Sequence, residues 1–270
     1  MPIINFSQPA YDADASAYFA TAGITSTAVR QQISRFVTGV KALGLWSSMV
    51  CWPLRSSQNA GTGLLAYSLG GLGAYYGTFA GATLPTWSED GVNFTDSTAA
   101  KITTSLTQGS SQDINIFSVV ECKPYVTQPH VICGTRGGSG GSSAGFTCAQ
   151  DWYAQGAGPL LWDATGTLAI SVFLSRITNG TFNAYTNRIS VSGATKTLGV
   201  KLNTGTESTI SAVRTYNAGV NFTIGSQHLT DVSALGGKLP FLAYFNTASI
   251  SSSSFYTLYK TTLGTGLGLP

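Results

Sequence analysis

The run Ile114-Asn115-Ile116-Phe117-Ser118-Val119-Val120 sets the fold class. It alternates with the period of two that a pleated strand imposes, and so do Leu168–Leu174 (LAISVFL) and Arg188–Val191. The segments are short, rich in Val, Ile, Phe and Thr, and separated by clusters of Gly, Asn and Ser. Asn179-Gly180 is a strong hairpin signal, because the favoured two-residue turn needs positive φ at both positions. From about Val50 onward this punctuation predicts an all-β sandwich or barrel.

Upstream the period changes. Residues 12–50 read as helical: Asp12 or Asp14 caps a first helix running to about Ala22, and Gly23 ends it. Ser26 or Thr27 opens a second helix, and Gly44 stands where a C-terminal glycine belongs. The apolar residues of this helix, Val29, Ile33, Phe36, Val37, Val40 and Leu43, form one stripe. Such a helix is unstable alone, so the stripe is a candidate docking face, for the rest of the chain or for a neighbour. Near the end, Ser251 to Ser254 cap a short helix carrying Phe255, Leu258, Tyr259 and Leu263, and Gly264 to Pro270 is expected to be a flexible or docking tail. The organisation expected is a helical segment over 1–50 and a β-sandwich over 51–270.

Charge is the unusual property of the composition. Asp, Glu, Lys and Arg make up 9% of the 270 residues, against about 25% in typical domains. Glycine (32 residues), Ser and Thr take their place. A surface of hydroxyls and glycines has little self-repulsion and packs easily against copies of itself, as multi-copy assemblies require. The formal net charge of +3 comes with no basic cluster, which excludes a nucleic-acid partner. No apolar run is long enough to cross a bilayer, and the first positive charge is Arg30, so neither membrane insertion nor a signal peptide is expected. The sequons at Asn93, Asn179 and Asn221 are what a Thr-rich chain produces by chance. Cys51, Cys122, Cys133 and Cys148 read as reduced, buried small hydrophobes, with a Cys122–Cys133 bridge open to them in an oxidising medium.

The patterns that carry catalysis are weak. Glycoside hydrolysis needs two carboxylates at a set separation, yet Glu89, Glu121 and Glu207 lack an acidic residue at i+2 or i+4, and Glu89 and Asp90 would point to opposite faces of a strand. Gly137-Gly138-Ser139-Gly140-Gly141 matches a nucleophile elbow in letters, and Asp163 and His228 follow in the right order, but no strand precedes it and no helix follows. The same loop and Gly70-Gly71-x-Gly73 lack the Lys-Ser/Thr of a phosphate cradle and read as turns or loop tips. A zinc site drawn from Cys122, His130, Cys133 and Cys148 has one short knuckle where two are usual. No catalytic residue, metal or cofactor is therefore assigned. Trp152, Tyr153 and Trp162 remain as candidate glycan-contact residues, since aromatic platforms stack on sugar rings; the competing reading is core or interface.

Several stretches carry a resemblance. Pro85-Thr86-Trp87 followed by Gly91-Val92-Asn93-Phe94, then Asn221-Phe222-Thr223-Ile224-Gly225, then Gly237 to Asn246 with the Ser-rich helix beyond it, resemble in order and spacing the laminin-G-like, concanavalin A-like jelly rolls. The helical preface from Asp12 to Trp46 and the ending Gly266-Leu-Gly-Leu-Pro270 are similar to segments that accompany such domains in phage and prophage proteins. The resemblance implies a jelly-roll sandwich with an N-terminal helical segment and a short C-terminal helix. It also implies a non-enzymatic bacteriophage virion surface protein, either a tail fibre or appendage subunit or a capsid decoration, assembled in the host cytoplasm. Its partners would be other virion proteins, copies of itself and a cell-surface glycan. A carbohydrate-binding module or adhesin without a virion role is the alternative, and a polysaccharide-acting enzyme a more distant one.

Overall fold

The computed structural model describes residues 10–95, 99–109, 112–121, 123, 129–136, 145–153, 155–163, 167–175, 180–214, 221–226 and 235–270. Two helices open the chain, α1 (Ala13–Ala22) and α2 (Thr27–Ala42), and α3 (Ser252–Thr261) closes it. Between them run β1 (Met49–Pro53), β2 (Leu65–Ala66), β3 (Gly77–Ala80), β4 (Val92–Phe94), β5 (Lys101–Thr104), β6 (Ile114–Glu121), β7 (His130–Gly134) and β8 (Gly145–Asp151). There follow β9 (Gly158–Trp162), β10 (Leu168–Ser171), β11 (Phe182–Ser192), β12 (Thr195–Leu202), β13 (Ser208–Val213), β14 (Thr223–Ile224), β15 (Gly237–Leu239) and β16 (Phe241–Phe245). One sheet has the order β1-β16-β6-β11-β12-β13, a second β10-β9-β8-β7-β14-β5-β3-β2, and β15 pairs with β4. Every strand pairing among the described residues is antiparallel. The fold is an all-β, concanavalin A-like jelly-roll sandwich.

The first-quoted run becomes β6, and its alternation has a physical reading on each face. Ile114, Ile116 and Val120 enter the core between the two sheets, with Phe146, Leu161, Ile102 and Phe222. Phe117 and Val119 point the other way, into a second core shared with the helices. β6 is therefore buried on both faces, which is why it carries apolar residues at both parities. The LAISVFL run is a strand only to Ser171; Leu174 pairs separately with Ala157. Asn179 lies outside the described residues.

The helix ends form as their sequence dictates. Asp12 caps α1 by accepting from Asp14 N–H at 2.9 Å, and Gly23 takes the left-handed conformation (φ 67) at its end. The stripe of α2 docks on the chain's own sandwich. Ile33, Phe36, Val37 and Val40 are fully buried against Phe117, Phe241 and Phe245 of the six-stranded sheet and Phe255 and Tyr259 of α3. This corrects the prospect of a stripe offered to a neighbour: only Val29 in part and Leu43 reach solvent.

Of the two readings of the tail, flexible or docking, the structure shows the docked one. Residues 264–270 fold back on α3, burying Leu267 and Leu269, while Tyr256 and Lys260 donate to the Pro270 carbonyl. Arg55 donates to the carbonyls of Leu263 (3.2 Å) and Thr265 (2.9 Å), pinning the start of this segment. The helices cover β1, β16 and β6, and past them β11–β13 present Arg188, Thr197, Lys201 and Ser211. The boundary expected at residue 50 falls inside β1, because that strand belongs to the sheet on which the helices pack.

Candidate functional site

Trp152 and Trp162 sit on the face of the eight-stranded sheet opposite the sandwich core. With Val131, Ala149 and Leu160 they form a satellite cluster, and they are only 6% and 8% exposed. Their rings meet edge to face, with centroids 5.6 Å apart. Trp162 Nε1 donates to Thr147 Oγ1 at 3.2 Å, and the Arg136 guanidinium lies 3.9 Å from the Trp162 ring centroid. A sugar cannot stack on faces already covered, so these two residues are withdrawn as contacts. Tyr153 differs: it stands at a turn with φ 46 and is 53% exposed, its ring edge-on to Trp152.

A better-formed site lies between α1 and the segment joining β2 to β3. Asp14, Ala17, Tyr18 and Thr21 occupy one face of α1, at the i, i+3, i+4 and i+7 positions. Opposite them stand Trp46, Ser68, the glycines at 70 and 73, and Tyr76, enclosing about 160 Å³. Gly71 donates its N–H to the Trp46 carbonyl at 3.0 Å, and a Cβ there would come within 2.6 Å of the Trp46 ring. The glycine run thus lets the backbone close on an indole. Tyr67 supports Tyr76 edge-on at 5.1 Å, and Tyr76 stays 42% exposed. Tyr18 donates to the Gln58 carbonyl at 2.9 Å, and burial pushes its phenol well above the usual range, so it remains neutral.

Lys41 organises the rim. Its ammonium lies 2.8 Å from Asp12 Oδ1, 2.6 Å from Asp14 Oδ2 and 5.2 Å from the Trp46 ring centroid. Burial acts to raise the Asp12 carboxyl, but hydrogen bonds from Lys41 and from the N–H groups of Asp14 and Ala15 outweigh it and hold the group below 3.8. Its contribution to stability is therefore present above about pH 4 and lost as pH falls through the lowered folded value. Lys41 is raised above 10.5 by its bonds to Asp12 and then Asp14, so its contribution is full below that pH and lost above the raised value. Lys41→Met is expected to lower the melting temperature between these limits, with the gap to wild type narrowing in acid. Thermal melts across pH check this, and a gap constant down to pH ~2 would sink it.

The arrangement suits sugar recognition. Trp46 and Tyr76 offer apolar ring surface, while Asp14, Thr21 and Ser68 supply acceptors and hydroxyls in the same cleft. None of the cleft's aromatics was singled out in the sequence. The available signal was the pairing of Gly70-Gly71-x-Gly73 with Tyr75-Tyr76.

Three of the carboxylates weighed for hydrolysis, those of Glu89, Asp90 and Glu207, are engaged elsewhere. Glu89 accepts from Ser56 Oγ, Asp90 pairs with Lys238 at 3.0 Å, and Glu207 takes a two-pronged contact from Arg188 at 2.9 and 3.1 Å. Glu121 ends β6. Asp163 accepts from Thr167 N–H, while residues 137–141 and His228 lie outside the described residues. Among the described residues no group of three His, Cys, Asp or Glu is placed to hold a metal. Of the cysteines drawn for zinc, Cys133 and Cys148 face the sandwich core and Cys122 lies outside the described residues.

No protein-family model and no curated protein matches the chain. Solved structures are similar in fold. One is Trypanosoma rangeli sialidase in complex with sialic acid (TM-score 0.50, 11% identity, 80% of this chain and 33% of that one). Tailspike protein 2 from Escherichia coli O157:H7 bacteriophage CAB120 is another (TM-score 0.49, 16% identity, 67% and 27%). A third is domain 4 of AbnA, an extracellular arabinanase from Geobacillus stearothermophilus, in complex with arabinotriose (TM-score 0.40, 15% identity, 78% and 87%). At 11% identity the likeness to the sialidase is one of fold.

Proposed function

We propose that this chain is a non-catalytic, sugar-binding jelly roll displayed on a bacteriophage particle, as a tail fibre or appendage subunit or a capsid decoration. The observation that carries the sugar-binding reading is the cleft in which half-buried Trp46 and exposed Tyr76 flank Asp14, Thr21 and Ser68. Its volume of about 160 Å³ suits one sugar ring rather than a long chain. The engagement of Glu89, Asp90 and Glu207 supports binding over hydrolysis. The virion reading is supported by the low charge, which favours multi-copy packing, and by the resemblance of the helical preface. With the α2 stripe spent internally, contacts to sister subunits fall to the Ser/Thr-rich exterior.

Glycan-array screening followed by calorimetric titration of the best ligand tests the binding. Trp46→Ala and Tyr76→Ala are each expected to weaken it about tenfold or more. Loss confined to Tyr153→Ala would move the site to the β8–β9 turn, and the absence of any ligand on the array would end the sugar reading. Mass spectrometry of purified particles and light scattering of the isolated chain test the virion role. A strictly monomeric protein absent from particles would exclude it.

A further inference from the structure

We propose that Cys133 and Cys148 form a disulfide across β7 and β8 when the protein meets a small-molecule disulfide oxidant. The two residues are direct partners in the antiparallel register. Directly opposed residues in such a pair have Cα atoms about 4.5–5.5 Å apart, inside the roughly 4.4–6.8 Å span of disulfides. Directly opposed residues also leave an antiparallel sheet on the same face. A bulge brings this opposition about. Val131 faces Ala149 and Cys133 faces Cys148, so β7 spends one extra residue at Ile132. Ile132, Cys133 and Cys148 consequently all enter the core between the sheets. Both are free and buried. Cys51 is remote from them, in the core beneath the helices. Cys122 lies outside the described residues, and a Cys122–Cys133 bridge is the competing pairing.

The chemistry balances with the oxidant as electron acceptor. One cysteine thiolate attacks a sulfur of oxidised glutathione, breaking its S–S bond and releasing one glutathione. The other thiolate then attacks the protein sulfur of the mixed disulfide, releasing the second glutathione and closing the bridge. Two protons leave the protein and two electrons pass to the glutathione. Burial raises the Cys133 thiol well above its usual range, so the native protein holds little thiolate and reacts slowly. Opening of the β7–β8 pair, or refolding in the oxidant, accelerates the reaction.

The test incubates the full chain with oxidised glutathione, both native and during refolding from urea, then maps peptides without reduction. The expected product has lost about 2 Da, carries a single 133–148 linkage and melts roughly 5–10 °C higher. Cys148→Ala should show neither change. A bridge formed only on refolding upholds the pairing and identifies strand opening as its gate. A linkage to Cys122 or Cys51, or intact thiols at 133 and 148 in both arms, overturns it.

Discussion

Phe36→Ala will lower the unfolding free energy by about 3–5 kcal/mol. Phe36 has no solvent exposure and sits between Phe241 of β16, at 5.6 Å, and Phe255 of α3, at 5.9 Å, in edge-on geometry. The cavity left by truncation cannot collapse easily. Phe117 and Phe241 are held by the register of β6 and β16, and Phe255 is held in turn by Phe117 at 5.0 Å and Phe245 at 5.1 Å. The transfer cost and the cavity cost therefore add. Urea unfolding followed by circular dichroism gives the number. A loss below about 1 kcal/mol, with a single cooperative transition, would mean that the helical layer contributes far less than its burial implies.

Gly225→Ala is expected to cost about 3 kcal/mol, from roughly 1–2 for the left-handed backbone and 1–3 for overpacking. Gly225 has φ 80, and a Cβ there would lie 2.2 Å from Cε1 of the buried Phe94 ring. The backbone cannot swing away. Its N–H donates to the Ile132 carbonyl at 2.7 Å and its own carbonyl accepts from Leu235 N–H at 2.8 Å. Gly23→Ala is the matched control: φ is 67, but nothing lies within 4 Å, so only the backbone cost of about 1 kcal/mol applies. Equal losses for the two variants in the same urea titration would show that contact with Phe94 is unimportant.

Whatever depends on neighbours in the chain was legible in the residues. The Asp12 cap, the Gly23 and Gly44 terminators, the Ser-rich start of α3 and the strand periods of β6 and β11 are settled within a few residues of themselves. The resemblance likewise located β4 and β14, and the stretch it offered as one last strand, Gly237 to Asn246, holds both β15 and β16. Motif order is a linear property.

The rest depends on which surfaces meet, and periodicity carries no information about that. The α2 stripe was visible, but its partner was not, because Phe117, Phe241 and Phe255 come from three distant elements. Trp152 and Trp162 look like platforms in a Gly-rich, polar stretch, yet Arg136, Thr147 and each other's rings cover them. The cleft of Asp14, Trp46 and Tyr76 needs α1 to cross the β2–β3 connection, and the Cys133–Cys148 pairing hangs on a bulge that shifts the register by one residue. Caps, turns and strand periods arise from local dihedral and hydrogen-bond preferences, so they are written in adjacent residues. Layer packing, strand register and the burial of an aromatic ring arise from contacts between residues tens to hundreds of positions apart, and these exist only once the chain has folded.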